Sequence, residues 1–446
     1  MNKPITISCL LGALALAACD EQAPGSGLPS IDQQLRSSFG QWGIVPIGPA
    51  PAQDPALVAL GQALMFDKIL SGNRDIACAT CHEPAEHATD GLSLSVGTGG
   101  TGSGSARTLG AGRTFVPRNA PSLLNSAIGL TYVFWDGRLT RFGPPPPDAI
   151  LPLGQTNVLI PQAMLPVLNR REMRGEKGEV DVLGNPNELA QFDDTQSTKI
   201  WQALMQRLLA VPGYVTMFNA AFPSIPRTSL TFENAATAMA AFQMDALLKT
   251  NSPFDRYLAH DNSALSPEAK RGGLLFFGTA RCSQCHNGPL LGGQQFANTG
   301  VPQLGPGVGQ GAPLDKGRGE LQNFQFYQFA FRVPPLRNVE LTAPYFHDGS
   351  FPTLESVVKH YNDVTKSLQT FDPATLPATV RGSYHGDAAT IAAVLNSLDS
   401  RVRSPLNLTE AQMADLVAFL KSLTDPAARD LSGIAPAAVP SGLPVR

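Results

Sequence analysis

The sequence predicts a mainly α-helical, loop-rich protein built by tandem duplication of one small domain. Three observations predict it. The pattern Cys-x-x-Cys-His occurs at Cys78, Cys81 and His82 and again at Cys282, Cys285 and His286. Each copy follows a segment with apolar residues at helical spacing, LVALGQALMF at 57–66 and EAKRGGLLFF at 268–277. Gly (42) and Pro (38) make 80 of 446 residues, above the usual share of about 12%, so ordered loops should surround the helices. A chain of 446 residues is long enough for two such domains plus additions.

The first element is an export segment. In MNKPITISCLLGALALAACDEQ, Lys3 precedes an apolar run too short to span a bilayer permanently, and the run ends in small residues before Cys19. Residues 1–19 therefore read as a signal peptide whose LAAC ending resembles a lipobox, with Cys19 the lipid-modified first residue of the mature chain. Residues 20–51, rich in Gly, Pro, Ser and Gln, read as a flexible tether holding the folded part off a membrane in the periplasm. Lys and Arg number 33 against 36 Asp and Glu, with no run of one sign, which argues against nucleic acid as a partner.

Six cysteines less Cys9 and Cys19 leave four, all inside the repeated motif. A redox dithiol does not need the following histidine, and a zinc site draws ligand pairs from nearby knuckles. Covalent haem c requires both features: two thiols add to the vinyl groups of the macrocycle, and the adjacent imidazole reaches the iron. Composition alone predicts about 0.001 such motifs by chance, and the chain has two. Two cytochrome c-like haem domains follow.

The halves also echo each other downstream. VPRNAP (116–121) leads to FWDGR (134–138), and VPPLRN (333–338) leads to FHDGS (346–350). A later helix is expected in each half: TFENAATAMAAFQMDALL at 231–248, and LTEAQMADLVAFLKSLTD at 408–425 with Thr409 as its N-cap. Ser266 and Pro267 supply an N-cap and a first-turn proline for the 268–277 helix. The resulting division is 52–255 for the N-terminal domain, 256–430 for the C-terminal domain, and 431–446 for a loose tail.

These residues resemble the bacterial dihaem cytochrome c peroxidases and their MauG-type relatives over about 57–424. The resemblance rests on LGQALMFDKILSGNRDIACATCHEP, PRNAP, FWDGR, SPFDRYL, RCSQCHNG and RVPPLRNVELTAPYFHDGSFPTLESVV. It implies that the first haem binds hydrogen peroxide, that the second accepts electrons, and that His82 and His286 are the proximal ligands. It also implies a small cytochrome c or cupredoxin donor, with a homodimer as one assembly open to the family.

Many such peroxidases close the first haem with a histidine sixteen residues past the motif histidine. That position is Thr98, in a loop without histidine, so the first iron is expected to stay open. His87 reads as an ordinary loop histidine. The family's acid–base glutamate falls on Glu172 in NRREM, with Gln155 or Gln162 as helpers; the plain alternative is a solvated charge beside Arg170, Arg171 and Arg174.

At the second haem the resemblance puts Tyr361 where many members have methionine. A phenolate ligand would lower the potential of that haem. His360 is an alternative ligand, and Met413 reads as core. Trp135 matches the tryptophan between the haems and is expected to relay electrons. Asn119, Thr342 and Pro344 match positions that hold a structural calcium, a reasonable oxygen set for that ion. Arg118 and Arg337 would serve haem propionates or packing. The activity implied is reduction of hydrogen peroxide to water. A MauG-type oxidation of a partner protein and a plain dihaem electron carrier are the rivals.

Overall fold

The computed structural model describes residues 29–141 and 158–445; the signal peptide, Cys19 and Gln155 lie outside them. The helices expected on either side of each motif form, and sequence explains their ends. Asp54 caps Pro55–Phe66 by accepting from Ala56 N at 2.8 Å. Ser266 caps Pro267–Phe277 through Ala269 N at 3.2 Å. Thr409 opens Glu410–Lys421 with a reciprocal capping box to Gln412, and Thr231 opens Phe232–Ala246 with its amide donating to Asn234 Oδ1 at 2.9 Å, which satisfies end amides otherwise left bare.

Within each half the early helix packs on the late one, and the two halves do so in the same way. A Cβ added to Gly61 would lie 1.9 Å from Ala238 O and 2.9 Å from Phe242 Cβ. At Gly272 it would lie 1.9 Å from Asp415 O and 2.9 Å from Phe419 Cβ. Only glycine lets the two backbones approach this closely, and the matching distances are the three-dimensional record of the duplication.

Two apolar cores result. Leu60, Leu64, Met239 and Phe242 belong to the first, and Phe276, Leu416, Phe419 and Leu420 to the second. Strands are short. Tyr132–Val133 pairs antiparallel with Leu139–Thr140, so FWDGR forms the tip of a hairpin. Tyr345 bridges Phe351 around FHDGS in the same manner. Phe134 and Phe346 have φ of 63° and 69° in these equivalent tips.

The tips interlock across the two halves. Arg332 N donates to Trp135 O at 2.7 Å, and Asn119 N donates to His347 O at 2.7 Å. Gly137 is backed by Phe296, and Gly349 by Ser93. Each half thus inserts its hairpin against the other.

Three expected boundaries need correction. Residues 20–51 are not a tether throughout: Ile31–Phe39 is a helix whose Leu35 and Phe39, with Ile44, enter the second core. Phe39 meets the rings of Phe254, Tyr257 and Phe277 edge-on. Polar composition concealed Ile31, Leu35 and Phe39 on one helical face. The division at 255/256 moves back to about Ser252, because Phe254 and Tyr257 are buried in that same core. The tail is not loose: Leu431 and Val439 are buried in the first core, and Ser441 Oγ donates to Asp67 Oδ1 at 2.6 Å. Each end of the described chain packs on the opposite half.

Candidate haem cavities and active site

Each Cys-x-x-Cys-His motif faces a large cavity. The first, about 1510 Å³ with its open mouth, is lined by Cys78, Cys81 and His82; the second, about 1380 Å³, by Cys282, Cys285 and His286. Each has apolar walls that carry the two thiols and the imidazole of one motif, the arrangement that haem c attachment needs. The four cysteines are free thiols. They lie in apolar walls that push Cys78 and Cys285 up to about 11 and Cys282 up to about 12. Such thiols stay protonated and keep for addition to vinyl groups.

The histidines are prepared alike. His82 Nδ1 lies 3.2 Å from Ala88 O, and His286 Nδ1 lies 3.1 Å from Leu291 O. A carbonyl can only accept, so Nδ1 carries the proton and Nε2 is the bare nitrogen that can bind iron. Burial brings both rings down to about 4, which keeps them neutral. Thiols, oriented imidazoles and space all fit haem c in both halves.

Glu172 lines the first cavity. It sits in a π-helical turn, Arg170–Arg174, capped by Asn169, whose Oδ1 accepts from Arg171 N and Glu172 N. The Asn169 amide donates to Glu172 Oε1 at 3.0 Å and fixes the carboxylate. Arg170 and Arg174 turn instead to Asp194, so Glu172 is not a solvated charge among its neighbouring arginines. Burial raises its carboxyl above the ordinary value, partly opposed by Arg138 and Arg118. Gln162 lines the same cavity.

Thr98 is buried outside the cavity wall. Its hydroxyl donates to Asp75 Oδ1 at 2.8 Å and its amide to Glu172 O at 2.9 Å. The loop is pinned beneath the glutamate's turn because Gly97 lies against Arg171 O, where a Cβ would approach to 1.8 Å. His87 points elsewhere, its Nδ1 3.1 Å from Ala428 O. Among the described residues no imidazole except His82 lines this cavity.

Tyr361 lines the second cavity, while His360 does not. Both nitrogens of His360 are engaged, Nδ1 at 2.9 Å from Ser367 Oγ and Nε2 at 2.8 Å from Thr299 O. Met413 is core, as its place in the helix suggests. Burial, then the nearby Cys285, raises the Tyr361 phenol; a bound cation would be needed to draw it to phenolate.

Trp135 lines both cavities, and its Nε1 donates to Asn119 O at 2.9 Å. Asn119 Nδ2 donates to Leu92 O at 2.7 Å, leaving the amide oxygen as the end able to ligate a cation. Arg118 and Arg337 are held in ion pairs. Arg118 binds Asp136 and Asp315, each at 2.6 Å, and Arg337 binds Asp255 at 2.7 Å. Sequence reasoning missed Arg332, which lines both cavities. The available signal was one basic residue inside the apolar run FAFRVPP.

This fold and these paired cavities define a dihaem c-type cytochrome. Residues 55–263 match the di-haem cytochrome c peroxidase family, and 330–364 match a RoxA-like, cytochrome c-like family. The chain is 29% identical to the methylamine utilization protein MauG of Methylorubrum extorquens over 94% of this chain and 93% of that one. It is 33% identical to the cytochrome c551 peroxidase of Pseudomonas aeruginosa over 67% of this chain and 69% of that one. A MauG-like protein associated with microbial copper homeostasis has a similar structure, with TM-score 0.58 and 26% identity over 87% of this chain and 95% of that one. The chain belongs to the dihaem cytochrome c peroxidase family: it is an oxidoreductase of the peroxidase class and carries two haem c groups.

Proposed function

We propose that the first cavity reduces hydrogen peroxide to water and that electrons reach it from the second cavity by way of Trp135. When bound, the haem iron supplies the site of O–O cleavage and the electrons for it. The protein's part is proton handling. Glu172 takes the proton from the near oxygen of peroxide and delivers it to the far oxygen, which leaves as water. Asn169 keeps the carboxylate aimed, and Gln162 offers a neutral amide on the same wall. The observation that carries this reading is a carboxylate held inside a haem cavity that has no second imidazole among the described residues.

The test is peroxide-dependent oxidation of a reduced small cytochrome or cupredoxin by the fully ferric protein. Fast turnover without prior reduction is expected. No turnover would overturn the reading, and a long-lived oxidised haem spectrum in its place would favour a MauG-type oxidation of a partner protein.

That second reading has one observation in its favour, Tyr361 at the second cavity. We assign Tyr361 as the residue that would ligate the haem iron there. Tyr361→Phe should change the absorption spectrum of one haem only, and an unchanged spectrum would remove the assignment.

Calcium held by the Asn119 amide oxygen with the Thr342 and Pro344 carbonyls would stiffen the interlocked tips; chelation should then slow inter-haem transfer without removing haem. Periplasmic placement follows from the export segment and from haem c chemistry. No described helix is long and apolar enough to cross a membrane. Acylation at Cys19 would supply the anchor, and the mass of the membrane-fraction protein decides it.

A further inference from the structure

We infer that Arg332 anchors the propionates of both haem groups at once, tying the two cofactors and Trp135 into one electrostatic unit. Arg332 is buried, with 5% of its surface exposed, and with Trp135 it forms wall common to both cavities. Its own backbone amide binds Trp135 O, and its Nε donates to Phe134 O at 3.2 Å. Its Nη1 is buried without a hydrogen-bond partner.

The other buried arginines beside the cavities and the tips have carboxylate, carbonyl or aromatic partners for the guanidinium, although Arg318 Nε and Arg337 Nη2 are also buried without a hydrogen bond. Arg118 has two aspartates, Arg337 has Asp255, and Arg318 has the carbonyls of Asp136 and Gly137 and a stack of aromatic rings. No described carboxylate pairs with Arg332, and burial alone brings its guanidinium down to about 10. A cation left buried and unpaired is strongly destabilising, so the position calls for an anion supplied from outside the polypeptide. Carboxylates that enter both cavities with the cofactor are the propionates of haem. A guanidinium can bind two of them through its separate edges, which an ammonium cannot match.

A fixed cation in this wall favours the reduced state of each nearby iron, so its removal should lower both potentials. This rests on haem in both cavities, and haem content of the purified holoprotein is measured first. A chain lacking haem would refute the dihaem assignment itself and leave nothing for Arg332 to anchor. With both haems present, spectroelectrochemical titration of Arg332→Gln should show both midpoint potentials lowered, and Arg332→Lys should retain part of each. A shift in one haem only, or in neither, overturns the shared anchor. If Arg332→Gln fails to accumulate, resonance Raman of Arg332→Lys decides: the propionate bending modes of both haems should move, and unmoved modes overturn the proposal.

Discussion

The indole of Trp135 donates to the backbone carbonyl of Asn119 at 2.9 Å, which fixes the ring in the wall common to both candidate haem cavities. Trp135→Phe keeps an aromatic ring and removes this bond. The stranded carbonyl should cost about 1–3 kcal/mol of stability. Inter-haem transfer should slow by at least roughly tenfold, about 1.4 kcal/mol of barrier. Rapid mixing of half-reduced protein with peroxide measures the transfer, and an unaltered rate would take Trp135 out of the path.

Glu172→Gln preserves shape and leaves an oxygen to accept from Asn169. Peroxide kcat/KM should fall by about 10²–10⁴, while both haem spectra stay unchanged. Because burial raises the Glu172 carboxyl, the proton-accepting form appears only as pH climbs through that raised value. Wild-type kcat/KM should therefore increase with pH above the ordinary glutamate range, and the variant should lack that limb.

Gly272→Ala places a methyl 1.9 Å from Asp415 O, a backbone atom that cannot swing aside. The overpacking penalty, about 1–3 kcal/mol or more, should outweigh the roughly 1 kcal/mol gained in helix propensity. Thermal unfolding should show a lower Tm. Gly382→Ala, where nothing lies within 4 Å, is the control and should not.

Asp348 is the counterpart of Asp136 in the second hairpin tip, without its cation. Asp136 is held well below the carboxylate range by Arg118 and Arg138 against the effect of burial. Asp348 has only Ser350, and burial pushes it up to about 7 from 3.8. A raised folded value means stability is full below about pH 4 and declines as pH rises to about 7, by roughly 4 kcal/mol at most. Denaturant unfolding of Asp348→Asn across that window should show a flatter pH dependence than the parent.

Much of the site was legible because c-type haem attachment is local. Thiols and imidazole must sit in one turn, so their spacing is written consecutively at 78–82 and 282–286. The helices were legible from caps and periodicity, and Gly61 and Gly272 fall inside them as contacts that only the partner helices explain. The docking of Ile31–Phe39 and of the 431–445 segment was not legible, since short polar-rich stretches carry weak patterns and their burial depends on a surface provided by the other half.

By itself the sequence determined the duplicated helical plan and the two candidate haem attachment motifs, with the four thiols and two imidazoles they contain. Those choices depend on neighbours in the chain. Only the tertiary structure decided that Glu172 faces a cavity while Arg170 and Arg174 face Asp194. It alone decided that His360 is locked by Ser367 and Thr299 while Tyr361 reaches the second cavity, and that Arg332 stands unpaired between the two. Those outcomes depend on which groups from distant segments share a low-dielectric wall, and pairing or isolation of a charge there is fixed by packing rather than by spacing.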